Sequence, residues 1–388
     1  MQFELLLPNH VTFGWGKRTQ LGTLAAGLGQ RAVIVNGSRT LRQSVLWEEL
    51  SNSLAQAKVE IVCDLDARRE PTIADVDSAT QKILACDHKP DLVIGIGGGA
   101  ALDLAKAIAA MTTNQHGSSV RDFLEGVGTG LQIENTPLQT IAVPTTAGTG
   151  SEATKNAVVS VDDPPCKKSL RSEKMVPDVI LIDPELTSSN PPEITAASGM
   201  DAITQLIESY ISNRATSLTQ ALCLEGLKLA IPNLPRAFED GMNQEARSAM
   251  SYAAFLSGVA LANSGLGMAH GVAAALGAQC DISHGLACAT LLPIALKTNQ
   301  TASRKQQTAL GKLFAKNPHL SKTAAIEASI TSIEELCAQL GIPRKLRDLG
   351  VKENQLKDIA NGSRGNSLNG NPRELSTEEL YSILKENW

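Results

Sequence analysis

Between residues 31 and 182 short β-branched runs alternate with stretches of helical spacing, and past Asp183-Pro184 the strand signals stop. This alternation limits the fold more than any other feature of the chain. Residues 31–35 (RAVIV) end in Asn36-Gly37-Ser38 and are followed by helical spacing over 43–57. Residues 59–63 read as a second strand and 72–86 as a helix. Residues 91–96 (DLVIGI) run straight into Gly97-Gly98-Gly99 and an alanine-rich helix over 100–111. Further strands are expected at 139–143, 158–162 and 179–182, and short strands around a glycine turn at 3–8 and 11–16. Strands alternating with helices imply a parallel, doubly wound sheet. Beyond a boundary near residue 185, helices are expected over 192–213, 216–235, 244–264, 267–279, 284–297, 322–340, 353–361 and 376–386. Pro191-Pro192 opens the first of them, as proline in a first turn should. The expected organisation is an α/β domain over 1–185 and an all-helical domain over 186–388, with a Gly/Asn/Ser/Arg-rich exposed loop at 361–372.

The bulk composition narrows the class. A chain of 388 residues with 43% hydrophobic residues and net charge −5 is expected to be a soluble globular protein with two cores. Mild acidity gives no reason to expect a nucleic acid or an anionic membrane as partner. The seven cysteines are scattered and form no CxxC pair, which points to reduced thiols in a cytoplasm. No apolar run reaches the length of a membrane span, and the N-terminus lacks the basic region of a signal peptide.

Four stretches carry possible chemistry. Gly97–Gly99 lies between a buried strand and a helix, where the backbone can approach a phosphate and the helix N-terminus offers unpaired N–H groups. It lacks the GxGxxG spacing, and a plain tight turn is the simpler alternative. Asp103 and Lys106 follow and read alone as a solvated i,i+3 pair. Pro144–Glu152 (PTTAGTGSE) sets hydroxyls and glycines after a strand, where α/β sheets bind ligands; a Gly/Thr turn is the alternative. In Gly199-Met200-Asp201-Ala202, Asp201 sits among apolar residues with Gln205 one turn later on the same face. A buried carboxylate needs a partner, either a hydrogen bond or a metal. Finally, Gly265–Gly285 holds His270 and His284, two of the chain's six histidines. A break near Cys280–Ser283 places His284 at the start of a new helix. Such a pair suits zinc or iron, and equally a histidine core.

The order GGGxxxDxAK, PTTAGTGSE, DPEL, GMDA and two histidines fourteen apart resembles the iron-containing (group III) alcohol dehydrogenase family, which has a dehydroquinate synthase-like fold. The motif resemblance runs from Pro8 to about residue 300. It implies a dinucleotide-binding α/β domain and a helical metal and substrate domain. By position it assigns Gly98, Gly99, Ala100, Ala101 and Leu102 to the pyrophosphate, and Thr145, Thr146 and Thr149 to the nicotinamide and ribose. Asn156 and Lys167 become further cofactor contacts. Asp201, Gln205, His270 and His284 take the metal positions, with Asp201, His270 and His284 catalytic.

Several positions depart from the family pattern. Gln205 stands where a histidine is usual, Ala274 where many members have a further histidine, and Ala100 where a serine is usual. Gly37, followed by Ser38 and Arg39, replaces the aspartate that commonly holds the ribose of NAD. Loss of that carboxylate, with Arg39 beside it, favours NADP over NAD. The expectation is a cytoplasmic NAD(P)-dependent alcohol dehydrogenase or aldehyde reductase, acting by metal-assisted hydride transfer with Fe(II) or Zn(II). Its substrate is a small alcohol or aldehyde, and a homodimer is the common assembly. Gln205 also admits a metal-independent reductase of the maleylacetate reductase type, and the missing histidines admit a catalytically decayed nucleotide-binding protein.

Overall fold

The computed structural model describes residues 3–388, which form two compact units. The first comprises Leu6–Asn190 and Met242–Ser251. Its strands are β1 (His10–Phe13), β2 (Arg31–Asn36), β3 (Glu60–Asp66), β4 (Leu92–Gly97), β5 (Gln139–Pro144), β6 (Asn156–Val161), β7 (Cys166–Arg171) and β8 (Val179–Ile182). Six of them make one parallel sheet in the order β1-β8-β5-β4-β2-β3. Helices α1 (Leu21–Ala26), α2 (Arg39–Arg42), α3 (Val45–Gln56), α4 (Ile73–Leu84) and α5 (Gly99–Thr113) connect them.

The inner strands β2, β4, β5 and β8 are buried on both faces, which is why they read as continuous apolar runs. Leu92, Ile94 and Ile96 of β4 pack with Leu50 and Leu54 of α3 on one side. Val93 packs with Val76 of α4 and the alanines of α5 on the other. The alanine-rich α5 comes close because small residues face each other. A Cβ on Gly95 would lie 2.9 Å from that of Ala105, and one on Gly97 2.6 Å from that of Ala101.

Register then sets the functional edge. Asn36 lies opposite Ile96, and Gly97 opposite Pro144. The loops after β2, β4 and β5 therefore leave the sheet from the same carboxyl edge.

Three readings of this unit need correction. Residues 3–8 form no strand; β1 alone pairs, at the sheet edge. β6 does not close the main sheet but pairs antiparallel with β7, a strand hidden in the polar run CKKSLR. Asp103 and Lys106 are not a solvated pair. Lys106 is buried and donates to the Ser151 carbonyl (2.8 Å), Thr154 Oγ1 (3.0 Å) and the Asn156 carbonyl, with Asp103 Oδ1 3.4 Å away. Asp103 in turn accepts from Ser151 Oγ and from the Val158 amide at 3.0 Å. A buried charge needs such compensation, and here it staples α5 to β6.

The second unit holds Pro191–Gly241 and Tyr252–Trp388 and contains no strand among the described residues. Its helices are α6 (Pro192–Ile211), α7 (Ser217–Glu239), most of α8 (Gln244–Ser264), α9 (Met268–Cys280), α10 (His284–Thr298), α11 (Arg304–Phe314), α12 (Lys322–Gln339), α13 (Leu356–Gly362) and α14 (Thr377–Glu386). The sequence reading lacked α11, a short helix whose large apolar residues, Leu310, Leu313 and Phe314, all lie in its second half. No single helix is long and apolar enough to cross a membrane; α8 and α9 together have the composition but bend by 101°. The 361–372 segment is only partly exposed. Its Asn371 is buried, accepts from the Met268 amide at 3.2 Å and exchanges hydrogen bonds with Asn299.

Candidate functional site

In the first unit the loops after β4 and β5 touch. A Cβ on Gly98 would meet Thr146 Oγ1 at 3.2 Å, and one on Gly99 would meet Thr149 Cγ2 at 2.7 Å. Glycine is what lets the threonine loop lie against the start of α5. Gly98 is the N-cap and offers no side-chain acceptor; its carbonyl takes the Ala101 and Leu102 amides, which leaves the Gly99 and Ala100 N–H groups at the start of α5 for a ligand. That is a fitting cradle for a pyrophosphate. Thr145 is fixed through backbone groups, its N–H donating to the Gly97 carbonyl (3.0 Å) and its own carbonyl accepting from Asn190 (2.8 Å).

After β2, Asn36 braces the turn by accepting from the Ser38 amide at 3.2 Å, and Ser38 Oγ caps α2 through the Leu41 amide. Arg39 is exposed beside them. Asp66, in register with Asn36, is engaged by Arg42 and Arg68. Asn156 gives its carbonyl to Lys106, and Lys167 pairs with Glu70 at 2.5 Å.

In the second unit α6 is buried nearly all round, so each of its polar residues must find a partner. Asp201 Oδ1 lies 3.2 Å from His270 Nε2 and 3.9 Å from His284 Nε2. Two local features of the chain make this possible. The bend between α8 and α9 presents His270 on the first turn of α9, and Asp281 at φ 54° ends that helix so that His284 begins α10. A Cβ on Gly285 would lie 2.4 Å from the Ala197 carbonyl, so the glycine after His284 lets α10 sit directly on α6.

The cluster holds two residues that the sequence reading did not single out. Glu208 accepts from His270 Nδ1 at 2.7 Å, leaving Nε2 to face Asp201. Its signal was present, since Asp201, Gln205 and Glu208 recur at i, i+4 and i+7 on one helix face. Cys288 is the other, with its Sγ 3.6 Å from His284 Nε2. The donor atoms of Asp201, His270, His284 and Cys288 all lie within 4.8 Å of one another. Gln205 lies against the same carboxylate. Its Nε2 donates to Asp201 Oδ2 at 3.4 Å, while its Oε1 is held by Ser257 Oγ at 2.6 Å.

The electrostatics fit a cation. Burial alone would raise the Asp201 carboxyl, yet the His270 hydrogen bond and the charge of His284 hold it below the ordinary range. Burial opposes a charge on His270, but Cys288, Asp201 and Glu208 together lift its pKa well above the usual imidazole value. His284 is raised as well: burial opposes the charge there too, and Cys288 and Asp201 outweigh it. A carboxylate, two imidazoles and a sulfur, nearly all sealed from water, want a positive charge among them. Either protons or a metal ion can provide it, and the two compete for the same donors. The His284 side chain is 31% exposed, which leaves the cluster reachable from one side.

Both units match known proteins. Residues 8–184 match the profile described as iron-containing alcohol dehydrogenase, and residues 195–388 that of the Fe-containing alcohol dehydrogenase family, C-terminal. The second match continues to the end of the chain, well past the last recognisable motif. The chain is 30% identical over 384 residues to the NAD-dependent methanol dehydrogenase of Bacillus methanolicus, covering 98% of this chain and 99% of that one. It is 32% identical over 391 residues to the 1,3-propanediol dehydrogenase of Klebsiella pneumoniae, covering 99% and 98%. Its fold is similar to a crystal structure of 1,3-propanediol oxidoreductase, with TM-score 0.92, 31% identity and full coverage of both chains.

Proposed function

The chain belongs to the iron-containing alcohol dehydrogenase family, and on that premise we propose that it is an NAD(P)-dependent, metal-containing alcohol dehydrogenase or aldehyde reductase. The observation that carries the reading is the convergence of Asp201, His270 and His284 from three helices of the second unit. A divalent cation held there would supply Lewis acidity toward a carbonyl or alcohol oxygen, and a bound nicotinamide the hydride acceptor or donor.

The chain's own residues do the rest. Asp201, His270 and His284 offer lone pairs to the cation. Glu208 fixes the tautomer and tilt of His270, as outer partners of metal-bound histidines commonly do. Gly98, Gly99, Ala100, Ala101 and Leu102 offer the backbone cradle of the cofactor phosphates. Thr145, Thr146 and Thr149 line the neighbouring loop, with Asn156 and Lys167 further along. In this reading Gly37, Ser38 and Arg39 receive the adenosine ribose. NADP is favoured over NAD because Gly37 has no carboxylate and Asp66 is already neutralised by two arginines. Fe(II) or Zn(II) is the cation. The substrate is a small alcohol or aldehyde, and the working form is a cytoplasmic homodimer with no nucleic-acid or membrane partner.

The metal-independent and decayed readings are less favoured. Neither accounts for a carboxylate and two imidazoles gathered beside a second, orienting carboxylate. The test is nicotinamide absorbance: protein reconstituted with Fe(II) or Zn(II) should consume NADPH with some member of a panel of small aldehydes. Asp201→Ala should abolish that turnover. Failure with every metal, both cofactors and the whole panel overturns the proposal.

A further inference from the structure

We propose that Cys288 is a ligand of the bound cation, taking the place that sequence position assigns to Gln205. The proposal rests on reading the Asp201, His270 and His284 cluster as a metal site. Cys288 follows His284 by one helical turn on α10, so both face the same point. It is completely buried, and its Sγ belongs to the set of four donors lying within 4.8 Å of one another.

The spacing suits a four-coordinate ion. Bond lengths of about 2.0–2.3 Å put the corners of a tetrahedron about 3.3–3.7 Å apart. The separations here are 3.2 Å for His270 to Asp201, 3.6 Å for His284 to Cys288 and 3.9 Å for His284 to Asp201. The other three pairs lie within 4.8 Å, so shifts of up to about 1 Å close the set.

Gln205 is occupied otherwise. Its amide nitrogen faces Asp201 Oδ2 and its oxygen is tied to Ser257, so it braces the carboxylate instead of offering an oxygen. A thiolate beside two imidazoles also suits Zn(II), which binds such donors more tightly than Fe(II) does.

Cobalt(II) titrated into the metal-free full chain tests this without turnover. A thiolate ligand gives an intense near-ultraviolet charge-transfer band that nitrogen and oxygen donors lack. The expected result is that band at one equivalent of cobalt. Cys288→Ser should lose it and bind cobalt at least about 100-fold more weakly, beyond the roughly 10–100-fold that loss of an outer partner costs. Gln205→Ala should keep it. No band in the unaltered chain, or a band that survives Cys288→Ser, overturns the proposal. Should the serine variant fail to fold, X-ray absorption of the zinc-loaded unaltered chain still decides, through one sulfur neighbour at about 2.3 Å or none. A chain that shows the band yet reduces no aldehyde would sink the dehydrogenase reading and leave this one standing.

Discussion

Glu208 Oε2 accepts from His270 Nδ1 at 2.7 Å, and the same carboxylate receives the backbone N–H groups of Gly267, Ala269 and His270. One side chain of α6 therefore caps α9 and orients the imidazole that α9 carries. A carboxylate is favoured there twice, by the unpaired amides and by the helix dipole. A Cβ on Gly267 would lie 2.9 Å from Glu208 Oε1, so the glycine keeps room for the cap.

Glu208→Gln keeps the shape and removes the charge. Zinc affinity should fall about 10–100-fold, measured by competition with a chromophoric chelator. Thermal stability of the metal-free chain should fall by about 1 kcal/mol as the cap weakens. An unchanged zinc affinity would show that His270 does not depend on this carboxylate.

Arg39 decides the cofactor reading. It is exposed, and among the described residues no carboxylate pairs with it. Arg39→Ala should lower kcat/KM for NADPH about 10–100-fold, as loss of a charge-assisted hydrogen bond does, and leave NADH nearly unaffected. Equal losses with both cofactors would count against a 2′-phosphate contact.

Much of this molecule could be read from local pattern because its inner strands are buried on both faces and its ligand loops leave from their ends. Strands 31–36, 92–97 and 139–144 are continuous apolar runs ended by Asn-Gly, Gly-Gly or Pro-Thr, and a parallel register places those ends side by side. Asp201 stood out as a charge in an apolar helix. Three kinds of residue were hidden. Cys288 reads as one more small apolar residue, and only the seating of α10 on α6 brings its sulfur near His284. Glu208 reads as an ordinary helix glutamate until its helix is known to be buried on all sides. Asn371 lies in a segment whose composition says exposed loop, although it braces the start of α9 from a hundred residues away. Cys288 and Asn371 owe their roles to tertiary contacts with no trace in the neighbouring sequence, and Glu208 shows there only the helix face it shares with Asp201 and Gln205.

Gly37 cannot simply be exchanged for the family's aspartate. A Cβ there would lie 2.8 Å from the Cβ of Ala101. Gly37→Asp alone should destabilise the first unit by about 1–3 kcal/mol through overpacking. Adding Ala101→Gly removes the clash at a cost of about 1 kcal/mol to α5. The pair should therefore be more stable than the sum of the single changes allows, and should prefer NADH. Urea denaturation of the four chains in the cycle measures the coupling, and strict additivity would refute the contact.

Stability should fall with rising pH because of Glu152. It is buried at the end of the threonine loop, and burial pushes its carboxyl up from 4.5 to about 7, against smaller opposing pulls from a backbone hydrogen bond and from Lys106. The folded chain thus holds a proton that the unfolded chain releases. The sign follows from linkage: the contribution is complete below pH 4.5 and is lost as pH rises through about 7. A shift of that size corresponds to at most about 3 kcal/mol across the window. Glu152→Gln keeps the neutral shape and cannot titrate. Unfolding free energies from urea titrations at pH 5 and pH 8 should therefore drop more for the unaltered chain than for the glutamine variant. Parallel pH profiles would mean that Glu152 keeps its charge in the folded state, with the backbone hydrogen bond and Lys106 together outweighing the burial.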